Sequence, residues 1–197
     1  MISAFAFTGV ILEIIFQQGP NTGLNLLSYF TIQSNLIVGS ALAFNVYYRS
    51  ETPQWLNILK SGALIWILVT GLVFHFLLSQ LYHPVGIPAY SNIILHYIVP
   101  AAVLFNWIIF EIKGTLRHSF TFIWIGYPSV YALLSLLRGL ADGFYPYWFV
   151  NPWKPYPDGA GSLLNVVIVV IVLAVIFSII GNLLVLLDRF MKKIQQN

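Results

Sequence analysis

From Ser162 to Leu187 the chain runs without a single charged residue, and much of the remaining sequence divides into apolar stretches of comparable length. In hydrocarbon a backbone N–H or C=O has no water to turn to. A segment that crosses a bilayer is therefore a helix or part of a closed barrel. No alternating ten-residue pattern of a barrel strand is present, which leaves helices. Only 8% of the 197 residues are charged and 59% are hydrophobic, against roughly a quarter charged in an average soluble domain. The fold class read from this is all-α: a polytopic membrane protein with six transmembrane helices in one domain spanning residues 1–197.

The spans fall at about Met1–Phe16, Asn25–Tyr48, Leu59–Tyr82, Pro88–Ile112, Ser119–Ala141 and Ser162–Leu187. Gly19-Pro20-Asn21 and His83-Pro84 are turn formers that separate them. Pro88 suits a first helical turn, where its missing N–H costs nothing. Gly159 and Gly161 mark the turn before the last span. The first span is short of the roughly 17–25 apolar residues that a crossing needs. It lacks the basic n-region of a signal peptide, so it reads as a short span.

Basic residues orient the chain. Arg49, Lys60, Lys113, Arg117, Arg189, Lys192 and Lys193 flank one side, against Lys154 alone on the other. Cytoplasmic loops carry the excess of Lys and Arg, so both termini are expected inside. The membrane would be the cytoplasmic (inner) one in a bacterial cell. The net charge of +3 is that of such anchors, and nucleic acid is not an expected partner. The longest outer loop, Asp142–Gly161, is rich in Tyr, Trp and Pro. It reads as an aromatic belt at headgroup level, as a semi-rigid lid over a lipid-facing site, or as both.

Polar groups inside a membrane are costly and usually have a task. At 1.5 Å per residue, Thr31 lies about 9 Å in from the outer start of the second span, and His96 about 12 Å in along the fourth. His75 is about 10 Å, and Arg138 about 6 Å, from the outer ends of the third and fifth. Asn165 opens the sixth. Thr31, Ser34 and Asn35 share one helix face, extended by Ser28. Asn92 and His96 are spaced i, i+4, as are Arg138 and Asp142, which can pair. A hydroxyl nucleophile needs a base within reach and a donor for the oxyanion. Thr31, Ser34 and Ser28 offer the hydroxyl, and His96 and His75 the base. Asn35, Asn92, Asn165 and Arg138 offer donors. With no cysteine and six carboxylates in all, neither a metal nor a cofactor is expected. Spacing alone leaves the choice of hydroxyl and histidine open. A non-enzymatic binder or transporter of a lipid or small anion, with Arg138 as the anion site, and a bis-histidine haem protein using His75 and His96, are the other readings.

Four stretches carry a family resemblance. Tyr29-Phe30-Thr31-Ile32-Gln33-Ser34-Asn35 resembles the start of the second helix in the androgen-induced family of integral membrane hydrolases. Leu95-His96-Tyr97-Ile98-Val99-Pro100 resembles that family's His-containing helix. The run from Tyr145 to Pro152, with Pro128-Ser129-Val130-Tyr131, is similar to its prokaryotic six-helix branch. The resemblance implies a threonine hydrolase of fatty acid esters of hydroxy fatty acids, with Thr31 as nucleophile and His96 as the essential histidine. The substrate it implies is a lipid ester, and it implies no cofactor. Ser34, Asn35, Asn92, Arg138, Asn165 and His75 stay candidates for substrate or oxyanion contacts.

Overall fold

A computed structural model describes residues 1–17, 23–48 and 52–196. The expected turn at Gly19-Pro20-Asn21 and the anchor Arg49 lie outside them. Among the described residues the chain is all-helical, with no strand. Its helices are α1 (Ile2–Phe16), α2 (Phe30–Tyr47), α3 (Gln54–Leu78), α4 (Ile87–Phe110), α5 (Phe120–Asp142) and α6 (Leu163–Gln196). Four of these, α3 to α6, are long and apolar enough to cross a membrane. The 15 residues of α1 cover about 22 Å, short of the ~30 Å of a hydrocarbon core. α2 has 18 residues but carries Gln33, Ser34, Asn35 and Asn45.

One boundary differs from the sequence reading in a way that matters. The second helix begins at Phe30, because Gly23–Ser28 form a separate 3-10 turn. Thr31 therefore stands in the first turn of α2, where backbone N–H groups lack intrahelical acceptors.

α3 is the axis of the bundle. Of its most apolar window, 56% is buried, against 11% for α6. Ala63 to Ile67 and Val69 of α3 meet Val99, Val103 and Trp107 of α4, Trp124 of α5, and Phe177 and Val185 of α6. The other face of α6 presents Ile168, Ile171, Val175 and Ile179 outward, the pattern of a lipid-facing helix. Pro128 lies inside α5 and has no N–H for the carbonyl of Trp124, four residues back. Trp66 Nε1 on α3 donates to that carbonyl at 2.7 Å, so the gap in one helix ladder becomes a tie between two helices.

Both α3 and α4 contain a π turn, at Phe74–Leu78 and Ile94–Ile98. Such turns concentrate at functional sites. In α4 the N–H of Val99 reaches Ile94 O. Pro100 has none to give, and Asn35 Nδ2 of α2 supplies a donor to the Leu95 carbonyl at 3.3 Å. Glycines let neighbours close on this turn. A Cβ on Gly9 of α1 would stand 2.8 Å from the Leu95 side chain, and one on Gly71 of α3 would stand 2.8 Å from the His96 carbonyl.

Candidate functional site

The two π turns face each other, and the ring of Phe74 stacks on His96 with centroids 3.8 Å apart and planes 22° apart. His96 Nδ1 lies 3.0 Å from the backbone carbonyl of Asn92. A carbonyl can only accept, so Nδ1 carries the hydrogen and Nε2 of the neutral ring keeps its lone pair. That lone pair points at Thr31, whose Oγ1 is 3.2 Å away. Thr31 and His96 are both buried, at 8% and 9% exposure.

Thr31 is held from behind. Its carbonyl accepts from Ser34 Oγ at 3.1 Å and from Asn35 Nδ2 at 2.8 Å. The Ser34 hydroxyl also meets Thr70 of α3 at 3.1 Å. Ser34 and Asn35 thus fasten the first turn of α2 to its neighbours and line neither of the two cavities that meet at Thr31. In front, the N–H of Thr31 donates to the hydroxyl of Tyr147 at 3.3 Å, and Thr31 Oγ1 is 3.4 Å from the same hydroxyl. Desolvation pushes the Tyr147 hydroxyl above its ordinary pKa, so it stays protonated and keeps a hydrogen to give.

Tyr147 belongs to the long loop, whose two halves behave differently. Phe149 and Val150 are buried, and the ring of Phe149 stacks on Tyr147 at 5.0 Å. Tyr29 meets Tyr147 edge-on at 5.5 Å. Trp153 and Tyr156 are exposed. The first half plugs the bundle and the second has the exposure of a headgroup belt.

Thr31 and Tyr147 line two cavities at once. One, of about 390 Å³, holds His96, Asn92, Glu13, Gln17 and Tyr82 in its wall. Glu13 of α1 is buried there. It meets the Ser91 hydroxyl and accepts from Tyr82 at 3.3 Å. Burial first, and then Glu13, push the Tyr82 hydroxyl up to about 12, so it remains a donor. Asn92 Oδ1 is buried without a partner among the described residues. The second cavity, of about 70 Å³, runs between α3, α5 and α6 and is almost wholly apolar.

The remaining candidates lie elsewhere. His75 is exposed and bonds the Tyr97 hydroxyl at 3.2 Å. It lines neither cavity, so it does not face His96 as a paired haem ligand would. Asn165 is exposed and donates to Ala160 O at 2.7 Å. Arg138 pairs with Asp142 at 3.0 Å, bonds Ser28 and Asn25, and lies 4.4 Å above the Phe144 ring. Sequence reasoning missed Tyr147 as a partner of Thr31. The aromatic run was visible, but no periodicity links a loop residue to a helix start 116 positions away. Glu13 stands in the sequence as a membrane carboxylate near the depth of Thr31, but its partners Ser91 and Tyr82 come from distant segments and were not foreseen. Among the described residues no cluster of His, Asp or Glu could hold a metal. No protein-family model, curated protein or solved structure matches the chain.

Proposed function

We infer that the chain is a membrane-embedded hydrolase of lipidic carboxylic esters, with Thr31 as nucleophile and His96 as base. The observation that carries this reading is the 3.2 Å approach of Thr31 Oγ1 to His96 Nε2 at the meeting point of two cavities. Thr31 Oγ attacks the ester carbonyl carbon, and its proton passes to His96 Nε2. The carbonyl oxygen becomes an oxyanion beside the positive end of α2 and the Tyr147 hydroxyl, which turns its hydrogen to it. Collapse breaks the bond to the alcohol oxygen, which takes the proton from His96. Water from the 390 Å³ cavity then attacks the acyl-threonine carbonyl and gives its proton to His96. Thr31 regains that proton as the fatty acid leaves.

Six spans with both termini on the cytoplasmic side belong to the same proposal. The basic residues support it, and α1 and α2 complete the bundle beside the four longer helices. Fatty acid esters of hydroxy fatty acids are the substrates that the resemblance of the second and fourth spans implies. The anion-binder reading is weaker, because Arg138 already has Asp142, Ser28 and Asn25 as partners. A fluorophosphonate probe on detergent-purified protein, read by intact-mass spectrometry, tests the reading. One adduct on wild type and none on Thr31→Ala is expected. Equal labelling of Thr31→Ala rejects Thr31, and lipid binding with no adduct or turnover would favour a binder.

A further inference from the structure

Thr31 is shared by two cavities that differ in polar content, which gives the site a direction. The smaller one is walled by α5 and α6 at Pro128, Ala132, Leu173, Ala174 and Phe177. Small side chains at Ala132 and Ala174 leave the gap between these two helices, and the outward neighbours on α6, Ile171 and Val175, are exposed apolar residues. The other cavity also has apolar wall, at Leu26, Ile32, Leu81 and Leu95, but it carries His96, Glu13, Tyr82 and Asn92 as well. An apolar chain placed among those groups would strip them of water with nothing in return, whereas the α5–α6 slot has almost no polar group to desolvate.

We propose that the slot between α5 and α6 takes the first carbons of the acyl chain, the remainder running outward along the exposed apolar side chains of α6, and that the alcohol half of the ester occupies the larger, more polar cavity. The class of substrate selected is then long-chain acyl esters, discriminated by acyl length at Ala132 and Ala174 and tolerant of varied alcohols. The geometry also divides the proton traffic. His96 faces the polar cavity, so the alcohol oxygen it protonates is already on the side where that product leaves. The acyl-threonine keeps its chain in the slot while water replaces the alcohol. This assignment rests on the hydrolase reading above.

Two ester series test it on the full-length protein in detergent. One varies the acyl group, from acetyl to hexadecanoyl, on nitrophenol. The other varies the alcohol, from ethyl to hexadecyl, on acetate. Phenylalanine at Ala132 or Ala174 should lower the hexadecanoyl-to-acetyl ratio of kcat/KM by at least about tenfold, as filling a packed slot does. It should leave the hexadecyl-to-ethyl ratio in place, and Leu81→Trp, in the wall of the other cavity, should do the reverse. A fall in the alcohol ratio for Ala132→Phe and Ala174→Phe, or no change in either ratio, overturns the assignment. A second readout does not depend on turnover: an alkyl ester of a fatty acid with a terminal diazirine, photolysed on Thr31→Ala. Crosslinks on α5 and α6 support the slot, and crosslinks confined to α1 and α4 refute it. Failure of wild type to cleave any ester while the crosslinks still map to α5 and α6 would count against the hydrolase and not against the slot.

Discussion

The two ends of the bundle both bury polar groups, and they do so in opposite ways. At the end remote from the Asp142–Gly161 loop, Lys60 bonds Glu111 at 2.7 Å and Asn45 at 2.8 Å. Lys113 donates to the carbonyls of Trp107 and Glu111 and lies over the Trp107 ring. Asp188 accepts from the Leu116 N–H at 3.0 Å. A cavity there reaches about 570 Å³, larger than either one at Thr31. Its charged members Lys60 and Glu111 are spent on each other. At the loop end the central groups are uncharged and face open space: a hydroxyl, an imidazole lone pair and a phenol. Size therefore does not set the two ends apart. Nor do unpartnered atoms, since Asn35 Oδ1 and Asn92 Oδ1 at one end are matched by Thr121 Oγ1 and Asp188 Oδ1 at the other; what differs is a hydroxyl and an imidazole lone pair brought together at a cavity wall.

That contrast can be broken by experiment. The largest effect is expected from Thr31→Ala and His96→Ala, each lowering ester turnover about 10³-fold or more while the melting temperature in detergent stays near wild type. A collapse of the melt instead would make the pair a packing device like the one at Lys60. Tyr147→Phe removes a donor and little volume. Its kcat should fall about 10²-fold with KM nearly unchanged, as steady-state kinetics on one ester would show.

Lys60→Met should do the opposite of these. It leaves Glu111 partly buried without its cation, and stability should drop by about 1–3 kcal/mol, seen as a lower melting temperature. Turnover at a temperature where the protein is folded should be unchanged. Lost turnover in folded Lys60→Met would show the two ends to be coupled. The smallest effect is expected at Arg138→Gln. The pair with Asp142 is 30% and 49% exposed, so its loss should cost at most about 1 kcal/mol. Cleavage of esters that carry no second carboxylate should be unaffected. A large selective loss on carboxylate-bearing esters would return Arg138 to the substrate site.

Much of this was legible in the residues. Apolar length placed α5 within one position, expected over Ser119–Ala141 and found over Phe120–Asp142, whereas α6 runs past the expected Leu187 to Gln196. The i, i+4 spacing of Arg138 and Asp142 predicted a pair that the structure contains. Depth counting placed Thr31 and His96 at one level, and the two side chains do meet. The same counting put His75 and Asn165 at that level, and both point outward. Depth is one coordinate, and rotation about the helix axis is another. In α3 and α4 that rotation is reset by a π turn at the very residues concerned, which no 3.6-residue periodicity anticipates. Lys60 and Lys113 entered the sequence reading only as basic residues that orient the chain; their bonds to Glu111 and to the carbonyls of Trp107 and Glu111 come from packing.

By itself the sequence determined that this chain is helical and suited to a membrane, because hydrocarbon offers the polar backbone of an apolar segment no outside partner and no barrel-strand pattern is present. It also determined which few polar groups are available within that environment. Only the tertiary structure decided which of them meet. Helix α2 begins at Phe30, so Thr31 has an unpaired N–H for Tyr147 to accept. Pro100 and the glycines at 9 and 71 let α4 turn His96 toward α2. Contacts between residues 65 and 116 positions apart follow from packing, where close approach and satisfied hydrogen bonds select one arrangement among many that the same composition allows.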